Sequence, residues 1–346
     1  MADISQRKAD HLDLATVGDV GFRKTTTLLE SVRLVHSALP ELALDDVDLS
    51  VDVVGKRLRA PLVIAAMTGG TDRARRINLQ LASIAEQQGY AFGLGSQRAM
   101  HADASCTTSY QVRSVAPSAL VLGNIGGVQA ARMTTAEVTE LVAAVGADAL
   151  CIHLNPAMEI IQSSGDRDFR GVISCFERLV HELSVPVVAK ETGCGLSRAV
   201  GQRLREVGVR HVDVSGAGGT SWVAVERARA SEDRRHLGDV FREWGIPTAV
   251  SVAWMAELGF DTVLATGGIH DGLQVAKALA LGASAAGLAR PVLQRLEAQG
   301  TESAKEFLSG VEAELRAAML LVGASNVAEL RRAPRVIVGE LGAWLR

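Results

Sequence analysis

The sequence predicts a (β/α)8 barrel, and three observations predict it. Eight short apolar runs alternate with helical patterns from about residue 60 onward. The runs are nearly continuous in their apolar character, as strands covered on both faces should be. Their unusual polar residues gather at the carboxyl ends, the face on which such barrels build their sites.

In order, the runs are "PLVIAAM" (61–67), "AFGLGS" (91–96), "ALVLGNIG" (119–126) and "ALCIHLN" (149–155), then "PVVAKE" (186–191), "HVDVSG" (211–216), "DTVLATGG" (261–268) and "ASAAGLAR" (283–290). Most are bounded by Gly, Pro or Asp, and each leads into a segment able to carry a helix. A ninth apolar stretch, "IPTAVSVAWMAEL" (246–258), reads as a helix. Pro247 suits the first helical turn and Gly259 a stop. The first 60 residues form an extension ahead of the barrel. Residues 301–346 read as closing helices with an apolar stripe at Leu308, Val311, Leu315 and Met319. No linker divides the chain, so residues 1–346 are expected to form one domain.

Composition narrows the function. Apolar residues make up 48% and aromatics 4%, so Ala, Val and Leu must fill the core. A net charge of −3 lacks the basic excess that nucleic-acid binding needs. Cys106, Cys151, Cys175 and Cys194 form no C-x-x-C pair, which argues against a zinc or disulfide framework. "MADISQRKADHL" lacks the apolar stretch of a signal peptide, and no run is long and charge-free enough to span a bilayer. A soluble, cytoplasmic protein is expected.

"TGGI" (266–269) and "GLAR" (287–290) after the last two strands suit a phosphate, because glycine lets backbone N–H groups approach it and a helix start adds a favourable dipole. Lys190, ending the fifth strand, would be costly to bury unpaired, so it must snorkel or face a negative charge. His153 and Asn155 lie two apart on the fourth strand and share a face.

These motifs resemble the FMN-dependent, type 2 isopentenyl-diphosphate isomerase family. The likeness runs from Arg7, Lys8 and His11 through "MTGG", "GSQR", "HLNP", "GDRDF", "KETGCGLS" and "DVSGAGGTSW" to "ATGGI". It implies interconversion of isopentenyl and dimethylallyl diphosphate on reduced FMN, with NADPH as the usual reductant and Mg²⁺ at the diphosphate. The implied flavin bed is Ala66, Met67, Thr68, Ser96, Asn124, Lys190, Ser215, Thr220, Gly267, Gly268, Ala289 and Arg290. Glu159 looks like the Mg²⁺ carboxylate. Substrate contacts are expected from Arg7, Lys8, His11, Ser96, Gln97, Arg98, Asn155 and Met158, with the N-terminal leader acting as a lid. Lys190 would hold the reduced ring as an anion, His153 would act beside it, and Trp222 would offer an aromatic wall to a carbocation. A tetramer or octamer is the usual assembly.

The sequence departs from the family at one position. The family normally has Gln directly before the Mg²⁺ carboxylate, and here that residue is Met158, a thioether that neither donates nor accepts a proton usefully. Three readings stay open: the flavin serves both proton transfers, Gln162 one turn later substitutes, or the prenyl substrate differs. Two other functions also stay open, an FMN oxidoreductase of the 2-hydroxy-acid oxidase type and a flavin-binding protein that has lost catalysis. The former carries a His/Arg pair where "SGAGGTSW" stands here.

Overall fold

A computed structural model describes residues 2–346 and the side chains of residues 6–346. All eight expected runs form strands: Leu62–Ile64, Ala91–Gly93, Val121–Gly126, Ala149–Leu154, Val187–Glu191, His211–Asp213, Thr262–Ala265 and Ala285–Leu288. They pair in parallel and close into a barrel, the eighth strand running beside the first. Their short length within the longer apolar runs has a simple reason: the flanking residues turn into the loops that carry the polar groups.

Strand register aligns the polar residues inside the barrel. His153 pairs with Lys190, and Lys190 pairs with Asp213, so three polar residues of neighbouring strands lie in one row.

Residues 246–258 are helical as expected, over Thr248–Glu257, although Pro247 caps the helix instead of occupying its first turn. The C-terminal stripe is also as expected. Leu308, Val311, Leu315 and Met319 are all buried on the long helical segment Arg290–Leu321. That segment breaks at Gly300, whose φ of 86° is non-helical.

The extension is more structured than its polarity suggests. Ala2–Val17 is a helix. Val32–Leu34 pairs antiparallel with Arg335–Ile337, which ties the extension to the C-terminal segment. The hairpin Val51–Val53 with Lys56–Leu58 lies at the amino end of the barrel, where Lys56 Nζ bonds Asp148 at 2.7 Å, just ahead of the fourth strand. Among the described residues no helix is long and apolar enough to cross a membrane.

Candidate active site

A cavity of about 400 Å³ opens at the carboxyl end of the barrel, a size typical of small-molecule sites. Every candidate residue named from the sequence borders it except Gln97. Gln97 is fully buried, donates to Leu141 O at 2.8 Å and accepts the Asn124 N–H at 2.9 Å. It fixes the second loop against the third strand and does not reach a ligand. The turn after a strand end directs alternate side chains inward and outward, so Ser96 and Arg98 face the cavity while Gln97 does not.

The floor is a row of coupled polar groups. Lys190 is 8% exposed, and its ammonium donates to Asp213 Oδ2 at 2.7 Å. The other Asp213 oxygen accepts from the Thr266 hydroxyl. Lys190 therefore faces a negative charge, as its burial requires, and its partner comes from the adjacent strand. Asn124 donates to Leu94 O at 3.0 Å, which leaves Oδ1 to accept the His153 Nδ1–H at 2.8 Å. That arrangement leaves His153 Nε2 as an acceptor. Burial, with Lys8, Lys190 and Arg98 nearby, pushes the His153 pKa down to about 3. The ring is neutral at physiological pH.

Opposite this floor the N-terminal helix brings Arg7, Lys8 and His11 to the cavity. His11 Nε2 donates to the buried carboxylate of Glu226 at 2.7 Å, and Arg229 bonds both Glu226 (3.3 Å) and Asp10 (2.8 Å). Trp222 packs edge-on against His11 with ring centroids 5.3 Å apart. The helix is thus held by ionic contacts one turn beyond its cations. Burial and the charges of Arg7 and Arg98 push Lys8 down to about 8. Among the described residues, none of Arg7, Lys8 and Arg98 has a carboxylate within 4.0 Å. Three cations held together without a counter-ion form a ready anion site.

Glu159 sits on the short helix Pro156–Ile161, which begins with proline at its first position. It is 6% exposed, accepts from Asn155 Nδ2 at 3.0 Å and from the Asp166 N–H at 2.7 Å. No cluster of three His, Cys, Asp or Glu occurs among the described residues. A lone carboxylate beside an anion site still suits Mg²⁺, which takes one or two carboxylates and completes its shell with phosphate and water.

The loops after the sixth and seventh strands approach closely. A Cβ on Gly267 would lie 2.1 Å from Gly216 O, and one on Gly268 would lie 2.7 Å from Gly218 O, with both residues at positive φ. The glycine pair is therefore demanded by loop packing as well as suited to a phosphate. Ser215 holds a φ of 36°, rare for a residue with a side chain, and its hydroxyl accepts from the Gly193 N–H at 3.1 Å. Strain of this kind concentrates at functional sites. Thr68 and Thr192 both border the cavity with buried hydroxyls that have no partner among the described residues. Unpartnered polar atoms lining a loop-walled hollow fit a polar cofactor such as FMN. Arg290 departs from expectation: its guanidinium donates to Ala15 O (2.9 Å) and Gly18 O (2.6 Å), capping the N-terminal helix.

The chain matches the family model described as FMN-dependent dehydrogenase over residues 153–336. An isopentenyl-diphosphate delta-isomerase of Synechococcus sp. is 45% identical over 96% of this chain and 96% of its own. Proteins of that name from Methanothermobacter thermautotrophicus (42% identity, 99% of this chain, 96% of theirs) and Cronobacter sakazakii (43%, 98% and 98%) agree. The chain belongs to the isopentenyl-diphosphate delta-isomerase family. Solved mandelate oxidase structures share the barrel, one with a TM-score of 0.68 at 20% identity over 97% of this chain and 100% of that one. That likeness is of fold alone.

For a member of the isomerase family, sequence reasoning misses several residues of the site. Asp213 reads only as part of a strand, although an acidic residue inside an apolar barrel strand signals a buried cation beside it. Glu226 and Arg229 lie on the helix Trp222–Arg229 and are invisible without its contact to the N-terminal helix. Gln129, which borders the cavity and donates to Asp166 at 2.7 Å, carries no sequence signal of its own.

Proposed function

We propose that this enzyme interconverts isopentenyl and dimethylallyl diphosphate using reduced FMN and Mg²⁺, with NADPH as reductant. The observation that carries the reading is the unpaired set Arg7, Lys8 and Arg98 around the same cavity as the single buried carboxylate Glu159. Such a site asks for a dense anion with a divalent cation.

Bound in this cavity, reduced FMN would supply an electron-rich ring and an exchangeable proton at N5 for the alkene. Met67, Thr68, Ser96 and the Ser215–Thr220 loop would hold the flavin, with Gly268 and Ala289 serving its phosphate. Lys190 would offer its remaining N–H donors to the ring edge and favour the anionic form, while Asp213 keeps the ammonium charged and aimed. Glu159 would hold Mg²⁺ against the diphosphate charge. Arg98 offers a planar fork and Lys8 a point charge to the same oxygens. Neutral His153 accepts at Nε2, so it orients a donor or a water and carries no proton to the alkene at neutral pH. Trp222 and the N-terminal helix exclude water from the reacting end.

The Ser215–Trp222 loop lacks the His/Arg pair of a 2-hydroxy-acid oxidase. The test is anaerobic isomer exchange by the purified, flavin-loaded protein, with and without Mg²⁺. Turnover that needs both reduced FMN and Mg²⁺ supports the reading. Oxygen consumption indifferent to Mg²⁺, or a colourless protein that rejects FMN, sinks it. Met158→Gln run beside wild type decides whether the thioether is tolerated: comparable rates are expected, and turnover by the variant alone would mean that this chain is no active isomerase.

A further inference from the structure

We propose that Gln162 is a substrate-contacting residue whose carboxamide donates to the diphosphate; the inference rests on the isomerase reading above. Gln162 is 3% exposed and borders the cavity, yet its Nε2 has no hydrogen-bond partner among the described residues.

The other carboxamides bordering the cavity are all engaged. Asn124 donates to Leu94 O, Gln129 to Asp166, and Asn155 to Glu159. Gln162 differs although its backbone is firmly held: its N–H donates to Met158 O (3.1 Å), and its carbonyl accepts from Gly165 N (3.1 Å) and Arg167 Nη2 (2.7 Å). The side chain is therefore placed by a rigid main chain and left with a donor facing nothing.

Buried polar groups in native proteins are almost always paired, and an exception calls for a partner that arrives later. The chemistry of an isoprenyl diphosphate restricts what that partner is. Its hydrocarbon end carries no hydrogen-bond acceptor, so the only acceptors it offers are the diphosphate oxygens. Gln162 also lies three residues beyond Glu159, at the end of the same short helix. The carboxylate proposed for the metal and the unsatisfied amide thus leave one element together. Met158, one turn earlier, presents a thioether to the same cavity, so Gln162 supplies the neutral donor that this wall otherwise lacks.

The experiment uses the FMN-loaded enzyme as wild type, Gln162→Met and Gln162→Glu. Methionine keeps the length and removes the polar atoms; glutamate keeps the shape and replaces the donor with a negative charge. Thermal midpoints are read with and without MgCl₂ plus inorganic pyrophosphate, and kcat and KM are read with isopentenyl diphosphate. Gln162→Met should melt at or above the wild-type midpoint when free, because the unpaired amide is gone, and should lose most of the pyrophosphate-induced shift. Its KM should rise about ten- to a hundredfold with a smaller change in kcat, and Gln162→Glu should weaken binding further.

A lower midpoint for free Gln162→Met, with an unchanged pyrophosphate shift and KM, overturns the inference and makes the amide structural. If that variant does not fold, an unchanged shift in Gln162→Glu overturns it equally. Wild type that is protected by magnesium pyrophosphate but does not isomerise sinks the isomerase reading, while a smaller shift in the variants keeps Gln162 as an anion contact. Wild type that responds to neither ligand overturns both.

Discussion

Lys8 shows how a single residue translates its surroundings into a measurable profile. Burial, then Arg7 and Arg98, holds its pKa at about 8 in the free enzyme. A bound diphosphate would favour the protonated form, so binding should draw in a proton where free Lys8 is neutral. Affinity for isopentenyl diphosphate should therefore be full below pH 8 and fall as pH rises through it. A pH series of kcat/KM tests this, and Lys8→Arg should carry the plateau to higher pH. A Lys8→Arg profile that falls at the same pH as wild type would place the titration elsewhere. Lys190 yields a second expectation. Asp213→Ala strands a buried ammonium and should cost about 3–5 kcal/mol in urea unfolding of the flavin-free protein; a loss below about 1 kcal/mol would mean that water already reaches the pair. Lys190 is legible in the sequence because a lysine closing an apolar strand has few innocent explanations. Its partner is not, since only strand register sets Asp213 beside it. Gln97 misleads because a motif fixes residue identity, whereas the side-chain direction depends on the exact turn.

At the scale of elements, apolar runs bounded by turn residues make every barrel strand readable, and the spacing of Leu308, Val311, Leu315 and Met319 makes the closing helix readable. The N-terminal helix is harder. Its apolar contacts are few: Leu12 is buried, while Leu14 packs on the small cluster Val20, Ala224 and Val225. Its position depends on Asp10, His11 and Asp13, whose partners Arg229, Glu226 and Arg73 are more than fifty residues away. Local pattern cannot reveal such pairs. Glu226, 2% exposed, sits at the centre of them. Glu226→Gln should loosen the helix and raise KM for isopentenyl diphosphate by about tenfold, with flavin absorbance unchanged. Loss of flavin from that variant would show that the helix supports the cofactor directly.

Across the whole molecule, the barrel and its two terminal segments are unequal in how they are fixed. The strand pair Val32–Leu34 with Arg335–Ile337 binds the extension to the C-terminal region, and the hairpin at Lys56 closes the far end. Neither depends on the first helix. Removing residues 1–9 should therefore leave a folded, yellow protein that pyrophosphate no longer stabilises, measured by absorbance and thermal shift. A truncated protein that fails to bind FMN would contradict this division.

Arg290 and Gln294 grip the carbonyls of Ala15, Thr16 and Gly18, so the first helix is fastened at its trailing end, beside the glycines proposed for the flavin phosphate. Arg7 and Lys8 ride on the opposite tip. A small rocking about that attachment sweeps the charged tip through the largest arc while the attachment itself scarcely shifts. Product can then depart through the rim without disturbing the seat of the coenzyme.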